Sequence, residues 1–385
     1  MIDHAALDLR FPAVEDFRRA AKRRLPRFAF EYLDSGTGRE LGVARNRAVL
    51  DRVGFMPAVL RGPLEPDVST TFMGRDYPLP IGMAPVGMSG MIWPNAETTL
   101  GKVAADAGIP YGLSSVTAVT PEDIPRGGDL WFQMYLPSDP EVRRDMARRA
   151  EAAGFTKLVL TVDVPGESRR ERQRRAHVAM PPKVTPSMLI SMMLHPQWSL
   201  GMARAGMPRM KLAESYLSEE QRSSDSFRHA GRVIRGWPDW DVVKRLREEW
   251  SGALVVKGVM EPEAAVRLVE HGVDAIWVSN HSARQSEAAP ASITQLPLVR
   301  EALGPDVPLI WDSGISGGLD ILRGLALGAD FVFTGRAFHY AIAALGETGV
   351  RHLLHVLKAD MVANMQQMGA ANFDELAGRL IELEA

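Results

Sequence analysis

Short apolar runs of strand composition recur along the chain, and most are separated by segments whose apolar positions return with helical periodicity. Eight such runs stand out, at 80–85, 110–115, 130–135, 158–163, 253–258, 275–280, 309–314 and 331–336. Helices are expected between them at 97–107, 140–153, 240–250, 261–271, 296–303 and 318–327, and another at 347–365. Several stop at a glycine, as at Gly154 and Gly272, where a left-handed C-cap suits that residue. Regular alternation of buried strand and helix implies a parallel sheet, and eight units predict closure into an α/β (β/α)8 TIM barrel. An open doubly wound sheet would need a glycine-rich dinucleotide turn after its first strand. The stretch Ala84-Pro85-Val86-Gly87-Met88-Ser89-Gly90 lacks that glycine spacing.

Two segments fall outside the alternation. Residues 1–75 form an N-terminal, helical extension. Between the fourth and fifth strands lie about ninety residues, where a βαβ unit needs only about thirty. The insertion, 165–240, opens with Arg169-Arg170-Glu171-Arg172-Gln173-Arg174-Arg175. It then passes through the methionine-rich run Ser187-Met188-Leu189-Ile190-Ser191-Met192-Met193-Leu194-His195-Pro196-Gln197-Trp198. The second part, within 186–200, has the composition of a segment lying in a membrane interface; an active-site lid or a subunit contact is the alternative. All 385 residues read as one domain.

Composition narrows the chemistry. With 46% hydrophobic and 24% charged residues the chain has ample material for a large core. The 45 Lys and Arg against 47 Asp and Glu give no electrostatic drive toward nucleic acid. The absence of cysteine excludes disulfides, thiolate nucleophiles and cysteine-held metal centres, and no metal site is expected. The first ten residues carry Asp3, His4, Asp8 and Arg10 instead of a signal-peptide core, and no run is long enough to cross a bilayer. A soluble protein, or one lying on a membrane surface, is expected.

In such barrels catalytic groups gather at the carboxyl ends of the strands. Here those positions are polar: Ser114, Gln133, Tyr135, Thr161, Asp163, Lys257, His281, Arg284, Asp312 and Arg336. The motif Ser279-Asn280-His281-Ser282-Ala283-Arg284-Gln285 sets an imidazole and a guanidinium three residues apart, a base beside a carboxylate clamp. Four basic groups at one mouth predict an anionic ligand. The loops Gly314-Ile315-Ser316-Gly317-Gly318 and Thr334-Gly335-Arg336 follow strands seven and eight, where barrels commonly hold a phosphate. Lys257 suits either an electron-rich cofactor or an ion pair with Asp312 or Asp163.

These residues resemble the FMN-dependent α-hydroxy-acid dehydrogenases and oxidases and, within that family, the bacterial respiratory L-lactate dehydrogenases. The resemblance runs from Phe30-Glu31-Tyr32-Leu33-Asp34-Ser35-Gly36 through Ala84 to Met91, His195-Pro196-Gln197-Trp198 and Asp312-Ser313-Gly314-Ile315 to Gly335-Arg336-Ala337-Phe338. It implies that His281 is the base, paired with Asp163. Arg284 and Arg170 would hold the substrate carboxylate, and Tyr32 and Tyr135 would bond its carboxylate and hydroxyl. It also implies an FMN held by Pro85, Val86, Gly87, Ser114, Gln133, Thr161, Lys257 and Ser279, with its phosphate at Asp312, Ser313, Gly314, Gly335 and Arg336. Gly87 resembles the dehydrogenase branch, where many oxidases carry Ala, so a quinone or other respiratory acceptor is implied. So are a peripheral position on the cytoplasmic face of the inner membrane and a homotetramer or octamer.

Three positions depart from the family pattern: Ser282 where Gly is usual, Ser316 where an Arg commonly stands, and Ser286-Glu287 for Leu-Asp. The Ser282 Cβ is expected to tighten the turn or shift the base, and Ser316 to deprive the phosphate of a cation. Two other functions stand beside the dehydrogenase reading, apart from an oxygen-using oxidase. A non-redox FMN barrel of the isopentenyl-diphosphate isomerase kind has no need of His281 and Arg284. A ligand-only barrel leaves the retained Tyr32, Tyr135, Asp163, Arg170, His281 and Arg284 without a purpose.

Overall fold

In the computed structural model, which describes residues 2–178 and 185–383, the eight expected strands form one closed parallel barrel. They are β1 (Ile81–Met83), β2 (Pro110–Ser114), β3 (Asp129–Met134), β4 (Lys157–Thr161), β5 (Ala253–Val259), β6 (Ala275–Val278), β7 (Leu309–Trp311) and β8 (Phe331–Thr334). Closure is made by β8 on β1, with Val332 opposite Ile81 and Thr334 opposite Met83. Several strands are shorter than their apolar runs, because the polar residues at their carboxyl ends leave the ladder to form loops.

Side chains alternate across a strand, so residues two apart share a face. Trp131, Val159, Val255, Trp277, Ile310, Phe331 and Phe333 belong to one buried inner cluster. Trp277 and Phe333 pack with ring centroids 4.4 Å apart. Two residues further along the same strands, or just beyond them, stand Gln133, Thr161, Lys257, Ser279 and Asp312. The apolar floor and the polar layer above it are one alternation, read at two heights.

The 1–75 extension is less uniformly helical than expected. Helices Val14–Arg24, Arg27–Asp34 and Leu41–Arg52 wrap the barrel, but Val53–Phe55 pairs antiparallel with Leu380–Glu382 near the other end of the chain. Thr70–Phe72 and Arg75–Tyr77 form a hairpin. Phe72 and Tyr77 from this hairpin pack on Phe331, with centroids 4.9 and 5.0 Å away, and plug the amino-terminal end of the barrel.

Residues 179–184 of the insertion lie outside the described residues. Its remainder is helical, at Glu171–Arg175, Pro186–Met193, Pro196–Ala205, Lys211–Glu214 and Glu219–Val233. Trp198 anchors it, 1% exposed and donating from Nε1 to the Met91 and Ile92 carbonyls. No helix among the described residues is long and apolar enough to cross a membrane.

Candidate active site

The barrel mouth is built from three groups of residues. The first is the inward polar layer. Lys257, buried on β5, donates from Nζ to Ser279 Oγ and Asp312 Oδ2, each at 2.5 Å. The Asp312 carboxylate also accepts from Trp277 Nε1, Ser279 Oγ and Ser313 Oγ. Of the two roles open to Lys257, an ion pair with Asp312 is therefore formed. With four donors around it, the Asp312 charge is largely compensated at the start of the loop that follows β7. Ser114 Oγ donates to Gln133 Oε1 at 2.7 Å and orients that amide. Gln133 Nε2, Thr161 Oγ1 and Arg336 Nε are buried without a partner.

The second group is an imidazole–carboxylate pair. His281 Nδ1 lies 3.2 Å from both oxygens of Asp163, an arrangement that puts the ring proton on Nδ1 and leaves Nε2 to accept another. Burial pushes the Asp163 carboxyl up, but the charge and hydrogen bond of His281, with Lys257 nearby, outweigh it and hold the group below its usual range. Gly258 makes room for this pair. Its φ is +98°, at a bulge in β5, and a Cβ there would lie 2.6 Å from the Asp163 side chain.

His281, Ser282 and Ala283 all have positive φ, at +54°, +53° and +57°. Each such residue without the glycine freedom costs about 1–2 kcal/mol. Surrounding bonds impose the turn: His281 N donates to Ser279 Oγ, Ser282 N to Ser313 Oγ, and Ala283 N to Asn280 Oδ1. Ser282 thus occupies the left-handed conformation that explains why glycine is usual there.

The third group is cationic. Arg284 Nη1 donates to the Tyr32, Leu33 and Ser35 carbonyls at 2.9, 3.1 and 3.2 Å, and Arg336 Nη2 reaches Ser35 O and Ser282 O. The Tyr32, Leu33 and Ser35 carbonyls end the helix Arg27–Asp34, so the negative end of its dipole steadies the crowded guanidiniums. Arg170 is held by Ser168, whose hydroxyl in turn donates to Arg284 O. Burial, then the charges of Arg170 and Arg336, bring the Arg284 guanidinium down to about 9. A carboxylate placed among these three groups would relieve that repulsion.

Tyr32 Oη donates to Gly87 O at 2.9 Å, linking the extension to the loop after β1. Burial, followed by the Asp163 charge, pushes the Tyr135 phenol up, so it stays a neutral donor. Pro85, Val86 and Gly87 line the same rim, and a Cβ on Gly87 would meet Val116 at 3.2 Å. At Ser316 the missing arginine has a near substitute. Arg47 reaches Ser316 Oγ at 2.8 Å, but its other donors are taken by Asp51 and Asp320. The structure therefore brings the expected base, clamp and polar layer into one mouth, while Arg336 faces the clamp more than the loop after β7.

Sequence reasoning missed the residues behind this rim. Glu97 accepts from Gly90 N and Ala118 N, and His339 contacts Ser89 and Gly335. Both sit on helices, where a polar residue in the apolar stripe was the available signal.

The orphaned amide, hydroxyl and guanidinium donors fit a ligand with ring carbonyls and a phosphate, as FMN has. The comparisons agree. A model of FMN-dependent dehydrogenases matches residues 21–383. An L-lactate dehydrogenase of Pseudomonas paraeruginosa (strain DSM 24068 / PA7) is 36% identical over 95% of this chain and 96% of its own. One from Ectopseudomonas mendocina (strain ymp) is also 36% identical, over 97% and 99%. Among solved structures, the monotopic membrane protein (S)-mandelate dehydrogenase superposes with a TM-score of 0.90 at 34% identity, covering 96% of this chain and 99% of that one. A soluble mutant of the membrane-associated (S)-mandelate dehydrogenase from Pseudomonas putida gives 0.83 at 31%, covering 97% and 100%. With its barrel, its mouth and nearly its whole length matched, this chain belongs to the FMN-dependent dehydrogenase family.

Proposed function

We propose that this protein oxidises a small, lactate-like L-2-hydroxy acid to the 2-oxo acid, with His281 as base, and passes the electrons to a quinone or another respiratory acceptor. The observation that carries this reading is an imidazole–carboxylate pair facing three guanidiniums across one barrel mouth. FMN, when bound, supplies the two-electron acceptor that oxidation of a carbon–hydrogen bond requires. Ser114, Gln133, Thr161, Lys257 and Ser279, with the backbone of Pro85, Val86 and Gly87, would hold it. Its phosphate would lie on Ser313, Gly314, Gly335 and Arg336.

The chain's own residues do the rest. Arg284 and Arg170 grip the substrate carboxylate, and Tyr32 and Tyr135 orient carboxylate and hydroxyl. His281 Nε2 takes the hydroxyl proton, and Asp163 stabilises the imidazolium that results. Lys257 offers positive charge where reduction would leave negative charge. The names of the relatives, lactate and mandelate dehydrogenases, support a 2-hydroxy acid as substrate.

For the acceptor and location, Gly87 resembles the dehydrogenase branch, and the Cβ of an alanine there would crowd Val116 at 3.2 Å. The insertion exposes Leu189, Ile190, Met193, Leu194 and Leu200, with Met193 and Leu194 more than 70% accessible. Such a face suits the interface of a bilayer, which supports a peripheral position on the cytoplasmic face of the inner membrane. The decisive experiment is anaerobic addition of several L-2-hydroxy acids to the yellow holoprotein. At least one bleaches the flavin, and His281→Ala keeps the colour while losing the bleaching. A yellow protein that none of them bleaches sinks the reading.

A further inference from the structure

Behind the rim, three contacts converge on two side chains. His339, 2% exposed on the helix Arg336–Leu345, approaches Gly335 O from Nδ1 at 2.7 Å. Its Nε2 lies 2.6 Å from Ser89 Oγ, and Ser89 Oγ lies 2.9 Å from Val86 O. Two of the three partners are carbonyls, which only accept.

Counting hydrogens resolves the arrangement. Gly335 O obliges Nδ1 to carry the ring proton. The ring is enclosed in apolar surroundings, and burial brings it down to about 4, so at neutral pH it holds that one proton only. Nε2 is then a lone pair, and the contact with Ser89 holds only if the serine donates. Ser89 has a single hydroxyl hydrogen. When it points at His339 it does not point at Val86, whose carbonyl stays open.

We propose that His339 acts as a positioning residue that turns the Ser89 hydroxyl away from Val86, so that the Val86 carbonyl is presented as an acceptor to a ribityl hydroxyl of the bound FMN. This rests on the reading that the loop after β1 holds the cofactor. The Val86 side chain adjoins Gly335, whose Cβ would lie 3.0 Å from Val86 Cγ2. The ring-side loop therefore meets the phosphate-side loop at Val86. A chain of hydroxyls linking ring to phosphate is the part of FMN that must span such a gap, and it brings donors.

The test is FMN binding to apoprotein, followed by fluorescence quenching, for His339→Phe, Ser89→Ala and the double variant. In His339→Phe the serine hydroxyl returns to Val86 O and competes with the cofactor, so FMN is expected to bind about tenfold more weakly, the worth of one hydrogen bond. Ser89→Ala removes the competitor and stays within about twofold of wild type. The double variant regains most of the lost affinity, a sign of coupling that a purely structural histidine would not give. A double variant as weak as His339→Phe, or weaker, overturns the proposal.

If His339→Phe does not fold, His339→Asn keeps an N–H donor near Gly335 O but is too short to place an acceptor where Nε2 meets Ser89, and the same rescue by Ser89→Ala is required. Failure of the underlying reading has a different signature. Apoprotein whose FMN affinity is indifferent to Lys257→Met and Gln133→Leu, as well as to these variants, does not hold its cofactor in this mouth.

Discussion

Two residues concentrate the cost of building the site. Arg284 is buried among like charges, and its proton is held only to about 9. The substrate anion binds the protonated form, so the competent fraction of free enzyme falls as pH rises through that value. Below it the guanidinium is charged and the desolvation cost of burying it is carried in full. We predict that kcat/KM for the hydroxy acid drops above about pH 9, approaching tenfold per pH unit, while flavin absorbance is unchanged. A profile flat to pH 11 refutes this. Ser282 is the other case. Its backbone at φ +53° is the region where a Cβ costs about 1–2 kcal/mol, so Ser282→Gly, after the added freedom of glycine in the unfolded chain offsets part of this, should raise stability by about 1 kcal/mol in denaturant titration. The departure from the usual glycine is a stability cost, since the base still meets Asp163.

How much of this was legible varies residue by residue. His281, Arg284 and Lys257 could be located because charges at the ends of apolar strands are conspicuous, and a period of two fixes which way they face. That Lys257 pairs with Asp312 and not Asp163 could not be read, because it depends on packing between strands far apart in sequence. Glu97 and His339 escaped for a related reason. Apart from the Ser89 hydroxyl, their partners are backbone groups, which leave no residue-type signature.

Among the elements, the helix Arg27–Asp34 has the widest influence on the site. Its last carbonyls receive Arg284, its Tyr32 reaches Gly87, and its terminal Asp34 is buried against Arg18, Arg172 and Tyr340. Arg172 also pairs with Glu31 and Glu40, while Gln173 donates to Tyr32 O and Ser35 Oγ. The cationic run that opens the insertion is thus a fastening to the extension, and it sets Arg170 in place. Nothing in the local pattern announced that, since a run of arginines reads equally well as a solvated face.

Burial pushes Asp34 up, but its hydrogen bonds to Arg18, Tyr340 and Arg172 prevail and bring it to about 2. Because the folded value lies below the unfolded one, the stabilisation is present above about pH 4 and is lost as pH falls toward 2. Asp34→Asn should cost about 2–3 kcal/mol at neutral pH. It should also raise KM more than it lowers kcat, because Arg170 and Tyr32 loosen together. An unchanged KM would mean the fastening does not reach the site.

At the scale of the molecule, the exposed apolar face of the insertion makes location testable. Wild type should co-sediment with vesicles of mixed anionic and zwitterionic lipid, and Met193→Asp with Leu194→Asp should abolish this without bleaching or loosening the flavin. Co-sedimentation that survives both substitutions would move the face to a subunit contact. Light scattering of the detergent-free variant would then distinguish a monomer from the tetramer or octamer expected of it.

The hairpin that seals the amino-terminal end of the barrel bears on the order of events. With Phe72, Tyr77 and the inner aromatic cluster filling the axis, the acid arriving, the oxo acid departing and the oxidant that follows share a single doorway. Traffic through one doorway favours turn-taking. Initial-rate plots for the two reactants are therefore expected to run parallel, with an excess of either slowing the other, and intersecting plots would refute this.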